Sequence, residues 1–89
     1  MHYVYILSSV EFPGQTYVGT TADLRQRLID HNAGKSPHTS KFCPWKLACY
    51  IALPDKTVAY ALEAYLKSHS GRAFTRKRLT PTVRAASPN

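Results

Sequence analysis

Eighty-nine residues make one small domain, with room for a single sheet and two or three helices. A hydrophobic fraction of 44% beside 19% charged residues can supply a core, so the chain need not be disordered, and no stretch nears the roughly 18–20 apolar residues of a membrane span. Twelve Lys and Arg against five Asp and Glu give a net charge of +7, which favours polyanionic partners, nucleic acid foremost, without separating cutting from holding.

Residues His2 to Val10 are rich in Tyr, Val, Ile and Leu and read as a first strand; no basic segment precedes them to suggest a signal peptide. Phe12-Pro13-Gly14-Gln15 is turn-forming, and Thr16 to Gly19 resumes β-favouring residues, so a looped antiparallel hairpin is expected. Thr20 or Thr21 offers an N-cap, with Asp23 favouring the N-terminus of a helix that runs to Asn32 and stops at Ala33-Gly34. Lys35 to Pro44 is a basic, polar loop that either lies across a ligand or is mobile. Trp45 to Leu53 is a third strand, in which Trp45 packs rather than stacks on a base.

Asp55 then caps a second helix to His69 whose apolar face is Val58, Ala61, Leu62, Tyr65 and Leu66. Ser70-Gly71 is expected to break it, and Arg72 to Leu79 to form a short third helix. The pattern predicts an α/β fold, β-β-α-β-α-α, with a three-stranded, mainly antiparallel sheet flanked by helices. It forms one domain over residues 1–79, with a flexible tail over 80–89. Cys43 and Cys49 fit no common zinc spacing and are expected as reduced thiols in a cytoplasmic protein.

Charge is also unevenly placed. No acidic residue follows Glu63, whereas Lys67, Arg72, Arg76, Lys77, Arg78 and Arg84 do, and Lys67 to Arg78 form the expected nucleic-acid-binding segment. With only five carboxylates, two of them explained by helix starts at Asp23 and Asp55, a carboxylate-clustered two-metal site is not expected. Glu63 has two readings: a surface pair with Lys67 one helical turn later, or the ligand of a single Mg²⁺ or Mn²⁺, which needs only one or two protein carboxylates. Arg27 and His31 stand side by side at the border of the Leu24/Leu28 stripe. Arg27 is a solvated charge or a bidentate phosphate clamp, and His31 relays a proton or caps a loop carbonyl. Gly19, at the end of the second strand, permits close approach of backbone or substrate or merely ends the strand.

One constellation is more specific. Tyr3-Val4-Tyr5, then eleven residues, then Tyr17-Val18-Gly19 resembles the paired tripeptides of the GIY-YIG family. Leu24 to Asn32 is similar to that family's first-helix signature, and Glu63 falls where the family carries its metal-binding glutamate. The resemblance covers about residues 2–79 and is nearest to the short, stand-alone bacterial members. Tyr3 replaces the family's Gly, Val replaces Ile in both tripeptides, and Thr20 stands where some members have a lysine. The resemblance implies a metal-dependent endonuclease with one divalent ion, Mg²⁺ or Mn²⁺, on Glu63. It further implies Arg27 on the scissile phosphate, Tyr5 as general base, Tyr17 positioning water or phosphate in an exchangeable role, and His31 assisting. The substrate is expected to be nucleic acid, with DNA favoured over RNA, in repair or recombination, and a protein partner is compatible with target choice. The alternative is a non-catalytic nucleic-acid-binding module on the same fold. Either way, Tyr5, Tyr17, Arg27, His31 and Glu63 are expected to converge on one face.

Overall fold

The computed structural model describes residues 1–80; of the tail expected over 80–89, Thr80 is buried with its amide donating to the Thr75 carbonyl at 2.8 Å, and the rest lies outside the described residues. Three antiparallel strands pair in the order β2-β1-β3, where β1 is His2–Ser9, β2 is Thr16–Thr21 and β3 is Trp45–Leu53. Strand β1 is central, and every residue from Val4 to Ser9 is buried, as expected of a strand covered on both faces. The period-2 alternation divides it. Val4 and Ile6 face one helix layer with Val18, Ala59, Leu62 and Leu66. Tyr5 and Leu7 face the other with Tyr17, Leu24, Leu28 and Trp45.

Helix α1 (Leu24–Asn32) covers the Tyr5 face. Its N-cap is Asp23, whose carboxylate accepts from the Gln26 amide at 3.1 Å, rather than the expected Thr20 or Thr21. Both threonines are held in β2, where Thr20 pairs with Val4 and Thr21 with Tyr3; the strand outlasts the point at which composition suggested its end. Within the Lys35 to Pro44 segment two side chains turn inward. Ser36 and Thr39 are buried, a 3-10 turn spans Ser40–Phe42, and the Trp45 indole donates to the Thr39 carbonyl at 2.9 Å. Trp45 is itself only 4% exposed, so it packs in the core as its strand position predicted.

Helix α2 (Lys56–Lys67), capped by Asp55 at 2.8 Å from the Thr57 amide, covers the Val4 face. It is rotated from the expected apolar face. Ala59 and Leu66 are fully buried, whereas Val58 and Tyr65 stand 49% and 46% exposed. Two stripes compete at helical spacing here, and the sheet is met by Ala59, Leu62, Glu63 and Leu66, because the short Ala59 side chain permits close approach to β1. The helix also ends sooner, at Ser68, whose hydroxyl accepts from the Gly71 amide at 3.1 Å and starts α3 (His69–Phe74). Gly71 therefore lies inside a helix rather than breaking one. A Cβ there would collide with the Tyr65 carbonyl and lie 2.6 Å from Leu66 Cα, so glycine is what lets α3 turn tightly against α2. A single π-helical turn, Thr75–Leu79, follows.

Candidate active site at the edge of strand β2

Tyr5, Tyr17 and His31 form a three-ring cluster on the α1 face. Ring centroids are 6.4 Å apart for Tyr5–Tyr17, 5.8 Å for Tyr5–His31 and 5.1 Å for Tyr17–His31. The strand pairing creates it: Tyr5 stands opposite Gly19 and Leu7 opposite Tyr17. A Cβ on Gly19 would collide with the Tyr5 hydroxyl. The missing side chain thus lets the hydroxyl end of the Tyr5 ring rest against β2 at Gly19. There the hydroxyl is 2.8 Å from His31 Nε2, and His31 Nδ1 is 2.8 Å from Thr39 Oγ1.

Glu63 reaches the same edge from the opposite layer. Thr20, one pleat out of phase with Tyr17, points to the α2 face and donates its hydroxyl to Glu63 Oε1 at 2.7 Å. Lys67 Nζ lies 2.9 Å from Glu63 Oε2 and 5.7 Å from the centroid of the Tyr17 ring. The five residues expected to converge gather about the β2 edge, the three rings and Arg27 on the α1 side and Glu63 with Lys67 on the α2 side. The reason is the even spacing between Thr20 and Val18, which puts both on the α2 side.

Electrostatics sharpen the arrangement. Burial pushes the Tyr5 hydroxyl pKa up, the adjacent Arg27 guanidinium opposes this, and Tyr17 and Glu63 add to the rise. Arg27, half-buried on α1, is in turn raised by its contact with Tyr5. Burial, helped by Arg27, lowers the His31 pKa, so the imidazole is neutral near pH 7 and one ring nitrogen keeps its lone pair. Burial works against ionisation of the Glu63 carboxyl, but Thr20 and Lys67 outweigh it and hold the pKa below the ordinary value. The group is a carboxylate at working pH.

The Glu63 carboxylate keeps lone pairs open to a cation. Each Glu63 oxygen engages one protein donor, and a carboxylate has about four lone-pair positions, so about two remain. Among the described residues, no group of three or more His, Cys, Asp and Glu side chains gathers.

Beside the cluster a cleft of about 540 Å³ runs along the open edge of β2. Tyr17 and Lys67 line it together with Arg72 and Arg76. Lys77 and Arg78 lie exposed on the π-helical turn outside that lining. Sequence reasoning missed Thr39 altogether, and Thr20 entered only as a helix-cap candidate and as the residue standing in place of a lysine. Thr39 sits among polar loop residues, and neither period nor composition distinguishes it from its neighbours.

Known proteins are similar to this chain. Residues 1–78 match the family described as the GIY-YIG catalytic domain. A UPF0213 protein of Streptococcus pyogenes serotype M3 is 35% identical over 72 residues, which cover 80% of this chain and 76% of that protein. The structure-specific endonuclease subunit SLX1 of Debaryomyces hansenii is 37% identical over 71 residues, which are 72% of this chain but 20% of that protein. The solution NMR structure of a UPF0213 protein from Bacillus halodurans has a TM-score of 0.54 and 30% identity, covering 94% of this chain and 92% of that one.

Proposed function

The chain belongs to the GIY-YIG family, a nuclease family, and on that premise we propose that it is a metal-dependent endonuclease hydrolysing phosphodiester bonds in DNA. The observation that carries this reading is the buried Tyr5–His31 hydrogen bond of 2.8 Å, with Arg27 beside it. A phenol whose pKa is raised does not ionise unaided near neutral pH. A neutral imidazole held at its oxygen gives it a place to send the proton. As water attacks phosphorus, its proton passes to the Tyr5 oxygen while the Tyr5 proton passes to His31 Nε2. The new P–O bond forms as the bond to the leaving strand breaks, and the leaving oxygen takes its proton from solvent.

Arg27 holds the non-bridging phosphoryl oxygens in line and stabilises their growing charge. Tyr17, half-buried at the cleft mouth, orients the attacking water. Glu63 holds one Mg²⁺ or Mn²⁺, which when bound supplies Lewis-acid stabilisation of the leaving oxygen. Lys67, Arg72 and Arg76 grip the phosphates flanking the cut along the β2 cleft; Lys77 and Arg78 extend that positive surface outward. Structured or damaged DNA in repair or recombination is the substrate class we favour over RNA, supported by the relative named as a structure-specific endonuclease subunit. Target choice is assigned to a protein partner. The free Cys43 and Cys49 thiols suit the reducing cytoplasm, where we place the activity.

A second reading, a nucleic-acid-binding module without catalysis, is favoured by one observation: the Glu63 carboxylate is already neutralised by Lys67 at 2.9 Å. Labelled linear, nicked, flap and branched DNA, with RNA alongside, separates the two. Incubation with Mg²⁺, Mn²⁺ or EDTA should give metal-dependent cutting that is abolished in both Glu63→Ala and Arg27→Ala, while Glu63→Ala still binds. Binding without cutting on every substrate and metal would establish the module instead, and full activity in Glu63→Ala would remove the metal assignment.

A further inference from the structure

Thr39 lies where composition showed only a polar loop, yet it is 0% exposed, as is His31. Three contacts pin it: its amide donates to the Ser36 carbonyl at 3.1 Å, its carbonyl accepts from the Trp45 indole at 2.9 Å, and its hydroxyl stands 2.8 Å from His31 Nδ1. The same hydroxyl has the Ser36 carbonyl within 3.4 Å. Such burial of a hydroxyl against an imidazole is costly unless each proton has an acceptor.

Donor and acceptor capacities then set a direction. The Ser36 carbonyl already accepts from the Thr39 and Ser40 amides at 3.1 Å and is the acceptor within reach of the Thr39 hydroxyl besides His31; with the Thr39 proton turned to it, the Thr39 oxygen accepts from His31. His31 therefore carries its single ring proton on Nδ1. Its Nε2 is bare and accepts from the Tyr5 hydroxyl. With the proton on Nε2 instead, the imidazole would donate to Tyr5 and have no lone pair there to receive a proton. We propose that Thr39 is a positioning residue that fixes the His31 tautomer, through a chain running Tyr5 O–H to His31 Nε2, His31 Nδ1–H to Thr39 Oγ1, and Thr39 O–H to the Ser36 carbonyl. The inference rests on the reading of Tyr5 and His31 as a proton relay, but the tautomer it specifies is observable whether or not the protein cuts DNA.

The experiment is ¹⁵N NMR of the full chain with ¹⁵N-labelled histidine, at a pH where His31 is neutral, for wild type, Thr39→Val and Thr39→Ser. Wild type should show His31 as the Nδ1–H form, with Nε2 at the shift of an unprotonated nitrogen. Thr39→Val keeps the shape and removes the acceptor, so His31 should shift toward the Nε2–H form and cleavage should fall on the order of 10-fold or more, a part of what general base catalysis contributes. DNA binding should be unchanged. Thr39→Ser should restore both the wild-type tautomer and the rate. An Nε2–H tautomer in the wild-type protein overturns the proposal, even if Thr39→Val fails to fold. So does a Thr39→Val spectrum identical to wild type. The Nδ1–H tautomer in a protein that cuts no substrate would uphold the hydrogen-bond chain and sink the nuclease reading alone.

Discussion

On one side of β2, Tyr5, His31 and Thr39 are buried to 2%, 0% and 0% exposure, each held by hydrogen bonds of 2.8 Å. On the other, Arg72 and Arg76 line an open cleft from exposed positions on short helical segments. The first group owes its geometry to the sheet and α1; the second owes its position to backbone path and its effect to charge. Proton transfer demands atoms fixed within a few tenths of an ångström, whereas phosphate attraction tolerates flexible side chains and acts over about 8–10 Å. The molecule places each kind of residue where that tolerance allows. Lys67 is the exception that joins the two, since it lines the cleft while its ammonium is held at 2.9 Å on Glu63.

The contrast breaks most completely if the packed side is cut away. Leu7→Ala, at a fully buried position on β1 in the Tyr5 layer, should cost roughly 2–5 kcal/mol, measured by urea unfolding, with activity falling as the folded fraction falls. Gly19→Ala is a more local test. Its Cβ would meet the Tyr5 hydroxyl, so overpacking of about 1–3 kcal/mol should accompany a displaced Tyr5. Cleavage should then drop far more than stability explains; wild-type activity in a folded Gly19→Ala protein would show that the hydroxyl's placement is immaterial.

A pH titration of stability sharpens the same side. His31 has a folded pKa below its ordinary value of 6.5, so the unfolded chain binds the proton more readily. Its neutral form contributes stability that is present above about pH 6.5 and diminishes as pH falls below it. His31→Gln should flatten that part of the profile, and an unchanged slope between about pH 7 and 5 would contradict the buried neutral imidazole. Asp23→Ala should cost about 1 kcal/mol by removing the cap of α1, visible as a lower melting temperature with little change in cutting.

The exposed side should respond in the opposite way. Arg72→Ala and Arg76→Ala should leave unfolding within about 0.5 kcal/mol of wild type. Removing a single phosphate-binding arginine should reduce the slope of log binding constant against log salt by about 0.9 on duplex DNA. A salt slope untouched in both variants would mean that the cleft is not the path of the strand.

Much of the architecture was written in local pattern. The strand from Trp45 to Leu53 was legible to the residue because Pro44 and Pro54 bracket a run of strand formers. The first hairpin was legible because its turn residues interrupt two β-favouring stretches. Helix α1 was legible in its body but not at its start: three polar candidates, Thr20, Thr21 and Asp23, stood within four residues, and only the continued pairing of β2 decided between them. The facing stripe of α2 was ambiguous for a similar reason, since Val58 and Ala59 open two stripes of comparable period.

The sequence by itself determined which residue types were available and in what order: tyrosines on two adjacent strands, arginine and histidine one turn apart on a helix, a single late carboxylate and a cationic run behind it. It determined the element order too, because strand and helix periods depend on neighbours a few positions away. Tertiary structure decided which faces met. It set Glu63 on the layer opposite Tyr5 and joined them only at the β2 edge, used Gly19 to let the hydroxyl end of the Tyr5 ring rest against β2, and buried Thr39 against His31 from eight residues away. Those contacts depend on sheet register, crossing helices and the path of an irregular segment, and none of these has a period in the chain. A loop threonine comes to rest on a buried imidazole only when its backbone is pinned from both sides, here by Ser36 and Trp45.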